Sequence, residues 1–446
     1  MSIETITISL QEYNALKEEI RVLREEILLL KNGRNSKTSS TPPSQDIGRS
    51  NRKSLKEPST RKTGGQPEHK GTNLKMKETP DKIVEHRPDY CNQCGKPLKS
   101  DKAIMISRKQ EIVLPPIVPQ YIEHQSYACT CEACGFVTTT ELPEHLKANV
   151  QYGMQVSAWV AYLSVRQYMS YERIAEMMRD CFRLPISEGT IDNMLKNLTD
   201  KAKYVYEQIR KGIEQSPVIG GDETGIKING KKGWLFAFQT PVLTFLAVSL
   251  SRGYETITNL FKNGFPISIY ITDCWAAQLK VKTMAKQICI AHLLRELNNF
   301  IDACKCEWSA KMKQLLKKAT ELKSQMQEND YVSSNDKVIN IQQQLDELLL
   351  ADITDKRKKI RAFIKRLNKN HDAILTFLYY PKVPPDNNAS ERAIRNAKVK
   401  MKVSNQFKIQ EGAHRFAVLR SVIDTANKNS QNILDALNLL HNFAAE

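Results

Sequence analysis

Apolar residues in the first thirty positions recur in alternating steps of three and four. Tyr13, Leu16, Ile20, Leu23, Ile27 and Leu30 form this seam, and Glu, Lys and Arg occupy many of the positions between them. The pattern is a heptad of about three repeats, which predicts a short coiled coil over residues 1–31 that associates with a second chain. A helix packed on its own domain is the alternative. From Lys31 to Pro80 the periodicity stops; Ser, Thr, Pro and Gly dominate, with twelve basic and four acidic residues. Such a segment cannot bury enough apolar surface to fold, so residues 32–85 read as a basic flexible linker.

Strand-like character returns at Ile104–Ile106, Glu111–Leu114 and Gln120–Ala128. These runs lie between two CxxCG turns, Cys91-Asn92-Gln93-Cys94-Gly95 and Cys131-Glu132-Ala133-Cys134-Gly135. Each turn can offer two thiolates to one tetrahedral Zn²⁺, so Cys91, Cys94, Cys131 and Cys134 predict a structural zinc site within a module at 86–140. Cys129 is a spare thiol whose alternation with Cys131 is ordinary strand geometry. Residues 150–212 are helical in pattern. Tyr171–Met178 reads as one helix, and Ser187 can cap a second that carries Ile191, Met194, Leu195 and Leu198. The pair resembles a helix-turn-helix with Glu188–Lys196 as the recognition segment; two packed helices without DNA contact fit the pattern equally.

After Pro217 the period becomes two. Val218–Glu223 is a short buried run, Gly225–Ile228 and Lys232–Gln239 flank an Asn229-Gly230 hairpin turn, and Thr244–Leu250 makes a further strand. A helix is expected from Glu255 to about Lys262, then a strand from Ile267 to Thr272 that ends at Asp273. Trp275–Lys286 reads as helix, Gln287–Ile290 as a short strand, and Ala291–Phe300 as a helix carrying His292, Arg295 and Glu296. Ala310–Lys369 is rich in Lys, Gln, Glu and Leu at helical spacing and reads as an insertion at about 305–372. Pro384-Pro385 stops what precedes it, and Asp386 or Asn387 can cap the next helix. The predicted fold class is therefore multidomain α/β. A ribonuclease-H-like core at 213–405 holds the helical insertion, follows the coiled coil, the zinc-binding module and the helical domain, and precedes a C-terminal helical segment at 406–446.

The 446 residues carry a formal charge of +17, which points to an anionic partner, with nucleic acid first because counterion release from phosphates drives binding. Ten cysteines in so long a chain, five of them between Cys91 and Cys134, favour metal binding over a disulfide framework. Met1–Leu10 lacks a basic start followed by an apolar run, and the most apolar stretch, Trp234–Leu250, is interrupted by Gln239, Thr240 and Pro241. No membrane partner and a cytoplasmic location are expected.

Three acids then stand out. Asp222 lies in the first core strand, Asp273 follows the fourth, and Glu391 opens a basic helix. Carboxylates at strand ends and on a facing helix can converge on a pair of hard divalent cations, which suit phosphoryl transfer. Arg395 and Lys398 follow Glu391 by four and seven positions, on its helical face, and with Arg392 they are candidate phosphate contacts. Between Arg392 and Arg420 there are eight Lys or Arg and one acid. His292 fits either of two roles, orienting substrate or capping a core helix.

Gly221-Asp222-Glu223-Thr224-Gly225, Asp273-Cys274-Trp275-Ala276-Ala277, Cys289-Ile290-Ala291-His292-Leu293-Leu294-Arg295 and Asp386–Arg395 resemble the conserved blocks of the insertion-sequence-66 family of transposases. Gly64-Gly65-Gln66-Pro67 and the following CxxC pairs resemble the same family's linker and zinc-binding module. Two departures are Gln278, where an aromatic residue is expected, and Glu68, where glycine is common. The resemblance implies a DDE transposase with Asp222, Asp273 and Glu391 as ligands of two Mg²⁺ ions, with Mn²⁺ as a substitute. It would cleave element ends and join the 3′ ends to target DNA, as a homo-oligomer, with any need for helper proteins left open. A nuclease or resolvase on the same core is the enzymatic alternative, and a zinc-containing DNA-binding regulator the non-enzymatic one.

Overall fold

The computed structural model describes residues 9–32, 74–99, 103–332, 334–351 and 357–443. Residues 1–8 of the expected coiled coil and 33–73 of the expected linker, including Gly64–Pro67, lie outside them. The chain forms two compact units, residues 51–119 and the remainder.

In the smaller unit the first CxxCG turn is closed by hydrogen bonds from Gly95 N to Cys91 O (2.9 Å) and from Cys91 N to Lys96 O (2.9 Å). The strands expected at Ile104–Ile106 and Glu111–Leu114 do not form. An alternating apolar run becomes a strand only where another strand accepts its backbone, and among the described residues of this unit none does.

The larger unit begins with helix α1 (Leu10–Asn32). Ser9 and Glu12 cap it reciprocally, Ser9 N donating to Glu12 Oε2 and Glu12 N to Ser9 Oγ. Tyr13, Leu16, Ile20, Leu23 and Ile27 of the heptad seam are all exposed, while Arg357 Nη1 reaches Glu25 Oε2 at 2.5 Å. The strand expected over Gln120–Ala128 does not form before its last residue; strand β1 (Ala128–Thr130) instead contains Cys129 and pairs antiparallel with β2 (Val137–Thr139). Helices α2 (Met154–Ala161), α3 (Tyr171–Phe182) and α4 (Glu188–Glu214) follow. Ser187 caps α4 by accepting from Thr190 N at 3.1 Å, and Arg183 ends α3 in the left-handed region.

The main sheet has five strands in the order β5-β4-β3-β6-β7. Strands β3 (Val218–Ile228), β4 (Lys231–Gln239) and β5 (Thr244–Ser249) are antiparallel, with the turn at Asn229-Gly230 in positive φ at both positions. After helix α5 (Tyr254–Leu260), strand β6 (Phe265–Thr272) runs parallel to β3, and β7 (Thr283–Ile288) runs parallel to β6. The helix expected over Trp275–Lys286 is confined to α6 (Ala276–Leu279). Thr283–Lys286 instead extends the sheet, because pairing with β6 outweighs the local helical spacing.

Helix α7 (Ile290–Cys304) leads into the insertion, α8 (Glu307–Gln325), α9 (Asp336–Leu350) and α10 (Lys358–Lys369), built around Leu316, Leu345, Phe363 and Leu367. Lys323 fastens it to the returning chain by donating to the carbonyls of Phe377, Tyr380 and Pro381 at 2.7–3.1 Å. Helices α11 (Asn388–Ser404), α12 (Gln410–Lys428) and α13 (Ile433–Leu439) complete the chain. Helices α12 and α13 contribute Phe416, Leu419, Ile423 and Leu437 to the main core. Ser421 and Thr425 of α12 accept hydrogen bonds from Leu246 N and Thr244 N, which covers the edge of β5.

Candidate active site

Strand register brings the first two acids together. Gly220 of β3 is opposite Ile271 of the parallel β6, which brings Asp222, two residues on, and Asp273, just past the end of β6, to the same end of the sheet. The chain before α11 locks the third acid to the same edge. Asn387 Nδ2 donates to Gly221 O at 2.6 Å, Asn387 N to Cys289 Sγ at 3.1 Å, and Ile290 N to Pro385 O at 2.9 Å. Asp386, rather than Asn387, caps α11 by accepting from Asn388 N at 3.0 Å. Glycine is required beneath this contact: a Cβ on Gly221 would come within 1.9 Å of Tyr270 Oη, and one on Gly220 within 2.6 Å of Ser390 Oγ.

Asp222 is 7 % exposed. Burial first, and then the charges of Asp273, Glu223 and Glu391, push its carboxyl well above the usual range. Glu391 goes the other way. Burial opposes its charge, but Arg295, His292 and Arg395 hold its carboxyl below the ordinary value. Arg295 grips both oxygens, Nη1 to Oε1 at 2.9 Å and Nη2 to Oε2 at 3.3 Å, and Arg395 Nη2 lies 3.4 Å from Oε2.

His292 Nε2 stands 3.6 Å from Glu391 Oε1, while its buried Nδ1 has no hydrogen-bond partner among the described residues. Burial and the Arg295 charge lower its pKa. Its Nε2 is the ring atom turned toward Glu391. Lys398 is half-buried; burial lowers its pKa while the charges of Asp222 and Glu391 pull the other way. Arg392 is exposed, and its charge acts on Lys428.

Three further residues surround the acids, and sequence spacing gave no reason to pick two of them, Arg252 and Gln278. Glu223 is 2 % exposed and receives Arg252 Nε at 2.8 Å and Nη2 at 2.5 Å on one oxygen and Gln278 Nε2 on the other. Burial, and next the charge of Asp273, push Glu223 up to about 6, with Arg252 and Gln278 opposing. The Arg252 guanidinium lies 3.7 Å from the ring centre of Trp275 and 4.6 Å from that of Trp234.

The two CxxCG turns have the same local geometry, Gly95 and Gly135 lying at φ +70° and +73°. In the second turn Gly135 N donates to Cys131 O at 2.8 Å. Backbone N–H groups of Cys94 and Gln93 lower the Cys91 thiol, and those of Cys134 and Ala133 lower Cys131. Cys91 and Cys94 belong to the smaller unit, Cys131 and Cys134 to the larger. Among the described residues no three His, Cys, Asp or Glu side chains already stand as a metal-binding group. At the acidic edge Arg295 occupies both Glu391 oxygens. No helix among them is long and apolar enough to cross a membrane.

The family model described as "Transposase IS66 family" matches residues 149–415, more than half of the chain and the whole of the acidic edge. A curated relative, "Uncharacterized protein y4hP" of Sinorhizobium fredii, is 21% identical over 389 residues, covering 78% of this chain and 69% of its own.

Proposed function

The chain belongs to the IS66 family of transposases, and from that premise we propose that it cleaves the ends of an insertion element and joins the freed 3′ ends to target DNA. The observation that carries this reading is the convergence of three carboxylates from separate parts of the chain, so that Asp222 feels the charges of both Asp273 and Glu391. Structural acids are normally paired with cations; a buried acid raised further by neighbouring carboxylates is a site that a divalent cation would relieve. Oxygen donors of this kind fit Mg²⁺ or Mn²⁺, and Asp222, Asp273 and Glu391 would hold the ions once Glu391 is released by Arg295. Bound ions of this type activate a water or a 3′-hydroxyl and stabilise the leaving oxygen in line with it. The sheet order, three antiparallel strands followed by two parallel ones, supports the ribonuclease-H-like assignment of the core.

The chain's own cations do the rest. Arg295, Arg395 and Lys398 border the acids and would take the phosphates on either side of the cut bond, Arg295 exchanging a carboxylate for a phosphate of the same bidentate shape. Arg392, exposed on α11, would contact DNA further along. The face of α4 formed by Glu188, Gly189, Asn193, Lys196 and Asn197 is exposed, which suits the helix-turn-helix reading for element ends. In the same reading Cys91, Cys94, Cys131 and Cys134 are the thiolates that would serve as ligands of structural Zn²⁺, a reading that draws on the matched turns and lowered thiols, and α1 joins two chains through its exposed seam.

The test is incubation of the full chain and Mg²⁺ with a linear DNA that carries element ends and a supercoiled target. Joined products with the element's 3′ ends covalently attached are expected. Cutting without joining would favour a nuclease, and binding without cutting a regulator.

A further inference from the structure

Glu223 is a buried carboxylate next to the acidic edge that the proposed reaction does not use. Its side chain is 1 % exposed, and both oxygens are taken, one by Arg252 and the other by the Gln278 amide. Neither oxygen is therefore open to a metal ion. The partners of this pair lie on both sides of the site. Glu223 follows Asp222 in β3; Gln278 is held by Tyr270 Oη (3.2 Å) and Thr272 Oγ1 from the end of β6, the strand that delivers Asp273. The Arg252 guanidinium also lies 3.7 Å from the ring centre of Trp275, whose backbone N–H donates to Asp273 Oδ1 at 2.9 Å. A single guanidinium thus ties the residue after Asp222 to the turn that orients Asp273. Lysine offers neither the planar face for two indoles nor the fork for a carboxylate.

We propose that Arg252, with Glu223 and Gln278, is a positioning unit that fixes the Asp222 and Asp273 carboxylates relative to each other and so sets the site's affinity for divalent cations. The proposal rests on the reading that those two acids hold the catalytic ions. Groups that support metal ligands from behind are typically worth about 10–100-fold in metal affinity. A plain fold-stabilising ion pair would affect melting and leave metal affinity alone.

The experiment titrates Mn²⁺ binding by electron paramagnetic resonance, and Mg²⁺-dependent cleavage, in full-length wild type, Arg252→Lys, Glu223→Gln and the double variant Arg252→Met/Glu223→Gln. The double variant leaves no buried unpaired charge, so it remains informative if Arg252→Lys fails to fold. Folded variants should bind Mn²⁺ about tenfold or more weakly and need correspondingly more Mg²⁺ for half-maximal cleavage, with the rate at saturating metal within a few-fold of wild type. Wild-type Mn²⁺ affinity in the folded double variant would overturn the proposal. Asp222→Asn run alongside separates the two failures: if it still cleaves with Mg²⁺, the reading of the acids falls; if it is inactive while the Arg252 variants bind metal normally, only the positioning unit falls.

Discussion

Arg420 is 1 % exposed, in the middle of the helical layer that covers β5. Its guanidinium meets Asp424 at 2.8 and 3.0 Å and donates to Val165 O at 3.1 Å, tying α12 to the π-helical turn after α2. Removing Arg420 leaves the buried Asp424 carboxylate with only the more distant Arg166, 3.7 Å away, whereas removing both members takes the buried charge away. Arg420→Met should therefore cost roughly 3–5 kcal/mol, and Arg420→Met/Asp424→Leu should recover most of it, read as urea-unfolding midpoints. A double variant as unstable as the single one would contradict this. The same scale shows what a sequence exposes. Asp222 and Asp273 attract notice because they interrupt or end apolar β-runs, and Glu391 because it follows a Pro-Pro stop and opens a basic helix. Arg252 lies in a short Ser-Arg-Gly loop and Gln278 in a single helical turn, where no periodicity marks them. Their role exists only once β3 and β6 lie side by side.

Among the elements, α1 carries the clearest unmet demand. Tyr13, Leu16, Ile20, Leu23 and Ile27 are 43–54 % exposed on a 23-residue helix whose other contacts include the Glu25–Arg357 ion pair. A seam of that kind is marginal alone and stable when paired. Deleting residues 1–32 should lower the mass measured by light scattering while the circular dichroism of the remaining chain keeps its helix and sheet content. Equal masses would remove α1 as the association element. Elements with strong local signals were legible: the Asn229-Gly230 hairpin, the Ser187 cap and the insertion helices all lie close to where their residues place them. Strand β7 was not, because Thr283–Lys286 has helical spacing and becomes a strand only through β6. The apolar runs at 104–114 were misread for the converse reason, since no partner strand meets them.

At the scale of the whole molecule, the net charge of +17 and the clustering of five of the ten cysteines between Cys91 and Cys134 are legible in the sequence alone and suit an anionic partner and metal binding. Sequence alone marks the C-terminal region as helical, and only its contacts reveal that α12 covers the edge of β5. The proposed zinc site is tested by metal analysis of the purified full chain, where one Zn²⁺ per chain is expected and its loss from a Cys91→Ser/Cys94→Ser variant; protein free of zinc would contradict it. The central claim is that Asp222, Asp273 and Glu391 act together in strand cleavage and joining. Its most direct measurement is the rate of Mg²⁺-dependent cleavage of an end-bearing DNA by Asp222→Asn, Asp273→Asn and Glu391→Gln. Glu296→Gln serves as control, a carboxylate on α7 that pairs with Arg366 at 2.7 Å. The account predicts a loss of about a hundredfold or more in each of the three, with DNA binding retained and the control within a few-fold of wild type. Near-wild-type cleavage by any one of the three would contradict it.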